Sequence, residues 1–575
     1  MQKKSITVFV LFFTLIKSSS LEAQPYYNNL SNKVSQDNPI LFSEDFNLGS
    51  LVDWHFIDED ISLKSNWYCE NGYLIQDTDA GNKKNLLGTM AIYDKNSFSN
   101  YVLKTNVVYT DDDFIGVIFK YKNQKNYHRF ILSSENQSIR LDKKIDGELI
   151  SIKEISNQEW HQCKFSIALF VNPDSIHVYL DDSKVFSIVN EDELPGKVGF
   201  VSISNLGSFF DDITLYSKYQ IKIREEFLSI VRGPYLQNLL GDSVTIMWRT
   251  NQLSNSVVEY YSEKENINEV LANSISKLHE IKLTDLQHST KYYYRVKSGE
   301  VASNWCSFTT PVNISDEFSF IVYSDTQLNF LRHHEIADQI KKHQFDFILH
   351  CGDAVQRGPR NDWDTEFFNP LKEILTGKPI YCAMGNHELN SQNYYLNFSN
   401  PAPSHENFYS FKFANSFFIF LDNPLAAYPE RTFFTDFKPG SIQYEWLKNQ
   451  LSSREAQKSD WIFVISHVPS YVFGTQEKYS DCKENLVPLF EKYHVDFSFS
   501  GHVHGYERGN VNNVNYVVTA GGGGALNKPS SVKLSNLPRF NITYNYCHLT
   551  VKNKTLAMKV YDINGNLIDE VLLEK

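Results

Sequence analysis

Cysteine is scarce and unpatterned in this chain: seven among 575 residues, at positions 69, 163, 306, 351, 382, 482 and 547. No CxxC pair occurs, which removes a zinc knuckle or a thioredoxin-like redox centre, and the scatter is no disulfide framework. Positive charge is short as well. Lys and Arg total 55 against 68 Asp and Glu, a net charge of −13, so a general grip on nucleic acid is not expected, because it depends on cationic side chains neutralising phosphates. There is no GxSxG, no Cys–His nucleophile signature and no P-loop: Gly521-Gly522-Gly523-Gly524 lacks the Lys-Ser/Thr that completes a nucleotide cradle. Past the N-terminus no apolar run is long enough to cross a bilayer. What the chain has in quantity is core-forming material, 42% hydrophobic and 14% aromatic residues. Its length exceeds one core and predicts three or four domains.

Lys3 and Lys4 precede apolar residues 6–16, and Ser18-Ser19-Ser20-Leu21-Glu22-Ala23 follows. About eleven apolar residues are too few to span a membrane but match the core of a cleaved export signal. Residues 1–23 are therefore expected to be a signal peptide, and 24–39, rich in Asn and Ser, a linker. The expected product is exported: secreted, periplasmic or on the cell surface, with no membrane span.

From 40 to 218 short alternating strands (101–109, 114–121, 128–132, 176–180, 184–188) are broken by Asn, Asp and Gly, which predicts a β-sandwich. Residues 228–312 read as a second all-β unit, with Val244-Thr245-Ile246-Met247-Trp248 as a strand around a buried Trp and Tyr292-Tyr293-Tyr294 on another. From 316 to 575 apolar runs at 318–323, 345–350, 380–384, 417–421, 461–465, 495–499 and 516–519 alternate with helical spacing at 335–342, 443–451 and 486–493. That alternation predicts α/β layers.

Within this last unit one ordered series closes the apolar runs: Asp325, Gly352-Asp353, Gly385-Asn386-His387-Glu388, His467 and Gly501-His502-Val503-His504. Open α/β sheets place their sites beyond the carboxyl ends of strands. Carboxylates, a carboxamide and imidazoles are the donors that divalent or trivalent cations take. One carboxylate, Asp353 by position, can give an oxygen to each of two metals, and metals roughly 3.5–4 Å apart suit in-line displacement at phosphorus. Taken singly, each residue reads equally as a hydrogen-bonded core group; the ordered set of six points to metal.

The order and wording of these motifs resemble the calcineurin-like metallophosphoesterases, and within them the purple acid phosphatases, over about 316–575. Phe408-Tyr409-Ser410-Phe411, Ile419-Phe420-Leu421-Asp422 and Gln443-Tyr444-Glu445-Trp446-Leu447 between the motifs are similar too. A weaker resemblance reaches back to about 230, where Arg232-Gly233-Pro234-Tyr235-Leu236-Gln237 is similar to the start of the fibronectin-III-like domain that precedes the catalytic domain in that family. The resemblance implies a four-layer αββα catalytic domain holding two metal ions, Fe, Zn or Mn. Asp325, Asp353 and His504 would hold the first, and Asp353, Asn386, His467 and His502 the second. It implies hydrolysis of a small phosphate ester by a metal-bound hydroxide, as an acid-phosphatase-like phosphomonoesterase. His387 would be the catalytic group, binding a phosphoryl oxygen or protonating the leaving alkoxide. Glu388 would orient a ligand by hydrogen bonding, and Arg508 would brace the His502–His504 turn. In the first unit, Phe42-Ser43-Glu44-Asp45-Phe46 with Trp54, Trp160-His161 leading to Val178-Tyr179-Leu180-Asp181, and Phe210-Asp211-Asp212-Ile213 resemble the laminin-G or concanavalin-like jelly roll. That leaves open a carbohydrate ligand, with Trp54, Trp67 and Trp160 read as core or as sugar platforms.

Two departures stand out. Purple acid phosphatases have GDxxY, whose tyrosinate ligates the ferric ion, and that place is Gln356; the broader family's DxH would put a His where Gln327 stands. Gln327 and Gln356 are therefore the candidate extra ligands of the first metal, each through an amide oxygen, and a weaker first site without the purple colour is expected. Two alternatives stay open: a phosphodiesterase on the same metal core, or a glycan-binding surface protein with a degenerate phosphatase domain. His333 and His334, opening a predicted helix, read as exposed at a cleft rim or helix end.

Overall fold

The computed structural model describes residues 39–575 except 110, 112, 134–137, 157–163, 182, 192–193, 218–226, 264–265, 312–316, 360–361, 402–405, 430, 432, 474–478 and 528–538. The expected signal peptide, nearly all of the linker, and Trp160 and His161 lie outside the described residues.

Strands between 40 and 216 form an eight-stranded and a seven-stranded antiparallel sheet. The sequence alternation is what lets them stack. In Ser175–Leu180, Ile176, Val178 and Leu180 point inward while their neighbours stay half exposed, as a strand with one wet face requires. Leu103, Val117, Phe130, Phe200 and Phe210 fill the space between the sheets. Trp54 lies against Phe200, ring centroids 5.7 Å apart, and Trp67 against Phe210 at 5.7 Å; both pack with the core. The outer face of the seven-stranded sheet is also closed. Met90, Ile118, Ile131 and Val201 are fully buried there with Leu86 packed on them. Arg129 fixes that cover by donating to the Leu86 carbonyl at 2.8 Å while paired with buried Asp142 at 3.0 Å.

Strands between 230 and 309 make one six-stranded sheet around Leu236, Ile246, Trp248, Tyr292 and Tyr294. Period-two alternation sends Tyr293 to the other side, where it stacks on Tyr261 at 5.2 Å.

The C-terminal unit has two sheets face to face. The first runs Ile380–Cys382, Phe347–His350, Glu317–Tyr323, Asn545–Lys552, Thr555–Asp562, Leu567–Glu574. The second runs Tyr409–Phe413, Ser416–Phe420, Trp461–Ile465, Phe497–Ser500, Val514–Thr519, Tyr506–Val511, Arg539–Asn541. Phe320, Phe347, Phe418 and Phe463 interleave between them. Ile336, Ile340, Phe367 and Leu371 cover the outer face of the first sheet, and Leu447, Leu451, Val487 and Phe490 that of the second. The layers therefore run helix, sheet, sheet, helix. Strands buried on both faces read as unbroken apolar runs, and the parallel members of both sheets end at one edge, where the loops carry Asp325, Asp353, Asn386 and His467.

Both preceding units grip this edge. The helix Phe330–Ile340 is capped by Asn329, whose side chain accepts the Arg332 N–H at 3.2 Å. It starts well before the expected 335–342 because Phe330 and Leu331 face Tyr73, Ile75 and Phe209 of the first sandwich rather than their own sheet. Arg332 adds an ion pair with Glu70 at 3.1 Å. From the middle unit, Arg232 bonds Asp364 and Asn397, and the Tyr235 hydroxyl donates to the Asn397 carbonyl at 3.0 Å.

Candidate metal centre

Asp325, Asp353 and His502 take positive φ of 60°, 55° and 68°, a region that costs non-glycine residues energy and recurs at functional loops. The turn after each strand is sharp enough to send these side chains back over the sheet edge. Asp353 lies at the middle. Its Oδ1 accepts the His387 N–H at 2.9 Å. Its Oδ2 faces His467 Nε2 at 3.1 Å on one side and Gln327 Nε2 at 3.4 Å on the other.

On the first side His467 Nε2 also meets Asn386 Oδ1 at 2.9 Å, and one donor atom each from Asp353, His467 and His502 lies within 4.8 Å of the others. On the other side His504 Nε2 is 3.2 Å from Asp325 Oδ1 and 3.3 Å from Gln327 Nε2. The two half-sites meet at the one oxygen, Asp353 Oδ2.

Two of the imidazoles are oriented by their far nitrogens. His467 Nδ1 donates to the Cys351 carbonyl at 2.9 Å and His504 Nδ1 to the Ala525 carbonyl at 2.6 Å. Each fixed Nδ1–H turns Nε2 toward the centre, the device that orients metal-binding histidines. Burial alone would push His467 down, but the Asp353 carboxylate outweighs it and lifts the imidazole to about 9. Burial pushes His502 down to about 4, leaving it neutral. A proton on His467 thus stands where a cation would bring Asp353 Oδ2, Asn386 Oδ1 and His467 Nε2 together. The hard oxygens and borderline nitrogens fit divalent and trivalent first-row ions. Gln327 Oε1 is buried without a hydrogen-bond partner, and a half-turn of the amide would aim it at the His504 side. Gln356 Oε1 likewise has no partner, while its backbone serves His387, whose Nδ1 donates to the Gln356 carbonyl at 2.7 Å.

Glu388 is fully buried and ties two motif loops together. It accepts the N–H groups of Asp353 at 2.9 Å and Gly385 at 2.7 Å on Oε2, and of Ala354 at 2.8 Å on Oε1. Arg508 points away from the centre to Asp569, Nε to Oδ2 at 2.6 Å, with Tyr506 donating to the same oxygen at 2.8 Å. Burial would raise the Asp569 carboxyl, but the Arg508 and Tyr506 hydrogen bonds hold it below the ordinary range. Its contribution to stability is therefore full above about pH 4, the unfolded carboxylate value, and is lost as pH falls through the lower folded value. Asp569→Asn should lower stability by roughly 3 kcal/mol at pH 7, with the gap from wild type closing below about pH 4. Chemical denaturation at several pH values measures both.

Several residues that position this centre carry no motif. Asn423 Oδ1 accepts the N–H of His467 at 3.0 Å and of Val468 at 2.9 Å; its one signal was its place beside Asp422. Asp422 itself is buried and accepts from Asn407 at 2.7 Å and Thr435 at 2.5 Å, away from the ligand set. His405, whose place before Phe408-Tyr409-Ser410-Phe411 leaves its role ambiguous in the sequence, lies outside the described residues. His333 corrects the expectation of exposure: it is fully buried, donates from Nδ1 to the Glu366 carbonyl at 2.6 Å and accepts from the Tyr323 hydroxyl at 2.9 Å. His334 is half-buried beside it. The glycine run serves as a spacer, Gly522 and Gly524 N–H donating to the carbonyls of Ser324 and Asp325 at 2.8 Å each.

Residues 318–506 match the calcineurin-like phosphoesterase family, and residues 235–310 the purple acid phosphatase N-terminal domain. Purple acid phosphatase 21 of Arabidopsis thaliana is 29% identical over 254 residues, covering 40% of this chain and 53% of that protein. Phosphoenolpyruvate phosphatase of Allium cepa is 26% identical over 276 residues, covering 42% and 53%. Fe(3+)-Zn(2+) purple acid phosphatase 12 of Arabidopsis thaliana is 25% identical over 325 residues, covering 49% and 65%. The matches thus span about half to two thirds of these relatives' lengths. The solved structure of a purple acid phosphatase from yellow lupin (Lupinus luteus) seeds shares the fold with a TM-score of 0.54 at 15% identity, covering 90% of this chain and 94% of that one.

Proposed function

We propose that this chain, which carries a calcineurin-like phosphoesterase domain behind a purple acid phosphatase N-terminal domain, is an exported binuclear metallophosphoesterase that hydrolyses phosphate monoesters. The observation that carries the reading is Asp353 Oδ2, one carboxylate oxygen facing both a His467 and a Gln327–His504 half-site. Asn386, His467 and His502 with Asp353 would hold one ion, and Asp325, His504 and Asp353 the other, with the Gln327 amide oxygen within reach of the second set. Bound cations supply charge to the phosphoryl oxygens and lower the pKa of water toward ~7.

The remaining work belongs to the protein. His387 keeps its Nδ1–H on the Gln356 carbonyl, so Nε2, 3.9 Å from Asp353 Oδ2, is the atom left to take a second proton; as an imidazolium His387 can donate Nε2–H to a phosphoryl oxygen or pass that proton to the leaving alkoxide. Its side chain is 32% exposed, whereas Asp325, Asp353 and His467 are closed off by protein. Substrate therefore reaches this pair from the His387 side. In this reading Gln356 leaves the first metal without a tyrosinate, and the loaded protein is not purple. A glycan-binding role for the first sandwich is the competitor. It loses Trp54 and Trp67, which are spent on the core.

Metal analysis with paired turnover of para-nitrophenyl phosphate and its bis ester tests the proposal. The expected result is two metal ions per chain, faster monoester cleavage, no strong visible charge-transfer band, and activity lost on chelation and restored by Mn, Zn or Fe(II). Preference for the diester would make it a phosphodiesterase. Absence of both metal and turnover would favour the glycan-binding reading.

A further inference from the structure

A second layer of geometry stands behind His387, and it starts from a rare helix. Trp363–Phe368 is a π-helical turn, a form found mostly as single turns near functional sites. Two of its side chains reach the same short segment, 356–358. Glu366, fully buried, accepts the Gln356 N–H on Oε2 at 2.6 Å. Trp363 donates from Nε1 to the Gly358 carbonyl at 2.9 Å. That segment in turn holds the 387 loop by two bonds, Gln356 carbonyl from His387 Nδ1 at 2.7 Å and Gly358 N–H to the His387 carbonyl at 2.8 Å. There is no slack between the loops, since a Cβ on Gly358 would come 2.1 Å from the Glu388 carbonyl oxygen.

The π-turn is itself held from both sides. His333 donates to the Glu366 carbonyl at 2.6 Å, from the helix docked on the first sandwich. Arg232 of the middle unit forks onto Asp364, with Nη2 3.0 Å from Oδ2. Contacts from all three units thus bear on the turn that carries Glu366.

We propose that Glu366 is a positioning residue for the reaction: it aims the Gln356 carbonyl so that His387 holds one proton on Nδ1 and presents Nε2 to the substrate as the nitrogen through which the transferred proton passes. A carbonyl can only accept, so this bond keeps the resident proton on Nδ1 and leaves Nε2 as the nitrogen that gains and gives the second one. The role rests on the reading above that His387 faces the phosphoryl group. It also gives Gln356, at the place of the family's tyrosine, a use through its backbone.

The test compares Glu366→Ala, Glu366→Gln and Glu366→Asp in the metal-loaded full chain, alone and combined with His387→Ala. Glu366→Ala should lower kcat about 10- to 100-fold with KM for para-nitrophenyl phosphate within about two-fold and metal content unchanged. Glu366→Gln keeps an acceptor for the Gln356 N–H and should recover most of the rate. In the His387→Ala background the same changes should cost nothing further, because Glu366 acts through His387. If Glu366→Ala does not fold, Glu366→Asp, one methylene short of Gln356, carries the comparison. Multiplicative losses in the His387→Ala background, or an unchanged kcat in Glu366→Ala, would overturn the proposal. Nitrogen NMR of histidine-labelled protein separates it from the phosphatase reading. If wild type binds metal yet cleaves no phosphate ester, that reading fails. His387 should still appear as the Nδ1–H tautomer in wild type and lose it in Glu366→Ala; the same tautomer in both would sink the role of Glu366.

Discussion

Asp353→Asn should reduce phosphate-ester turnover on the order of 10⁴-fold, the scale seen when one member of a catalytic unit is removed, while leaving the protein folded. The split follows from which oxygen does what. Oδ1 accepts the His387 N–H at 2.9 Å, and an asparagine oxygen can keep that bond. Oδ2 is the atom between the half-sites, and an amide nitrogen there offers hydrogens where a cation needs a lone pair. The variant can still satisfy its neighbour. Without the carboxylate that lifts His467 to about 9, the imidazole turns neutral at pH 7 and its Nε2 can accept from the new amide. The expected stability change is therefore small, about 1 kcal/mol, with the loss confined to activity and metal content. A variant retaining two tightly bound metals, or a few per cent of the turnover, would show that Asp353 does not bridge.

The candidate ligands are legible because a metal centre needs particular donor atoms at strand ends, and both requirements leave marks on single residues. Trp461–Ile465 matches its apolar run residue for residue, since a strand buried on both faces has no choice of composition. The apolar run 345–350 predicts a strand from Phe345, but Phe345 packs with the helical layer and Phe347–His350 begins two residues later; an apolar run cannot say which layer it serves. Glu366, Asn423 and His333 were missed or misplaced for a different reason. Each works by holding a backbone N–H or carbonyl of another loop, a task open to several residue types at no fixed spacing. Phe330 and Leu331 were illegible because their partners belong to another domain.

The convergence of domains has a mechanical meaning. Loops at a sheet edge usually carry the low-stability end of a fold. Here the loops are tied down by Glu388 within the C-terminal unit, by Arg232 on Asp364 from the middle unit, and by Tyr73 and Phe209 against Phe330 from the first sandwich. Three candidate ligands in the αL region, Asp325, Asp353 and His502, need such support, since each would relax if its loop were released.

Gly385→Ala tests that support where it is tightest. A Cβ at this position would stand 2.2 Å from both the N and Oδ1 of Asp353 and 2.6 Å from Glu388 Oε2. None of these can yield cheaply. The Asp353 N–H is held by Glu388 at 2.9 Å, the same oxygen takes the Gly385 N–H at 2.7 Å, and Asp353 Oδ1 is committed to His387. Relief requires the two loops to part, which breaks the buried Glu388 bonds and displaces Asn386 and Asp353 together. The expected cost is roughly 3 kcal/mol of stability, in the range for strain plus unsatisfied buried groups, and a 10- to 100-fold or greater loss of metal affinity, the scale for supporting bonds alone. Glu388→Gln separates the two effects: it removes no space, but one of its amide hydrogens must face a backbone N–H. It should lower metal affinity with a smaller loss of stability than Gly385→Ala. Calorimetric metal titration and thermal unfolding of both variants read the difference. If Gly385→Ala binds both metals as wild type does, the loops are pliable and the ligand geometry is set by the metals rather than by the protein.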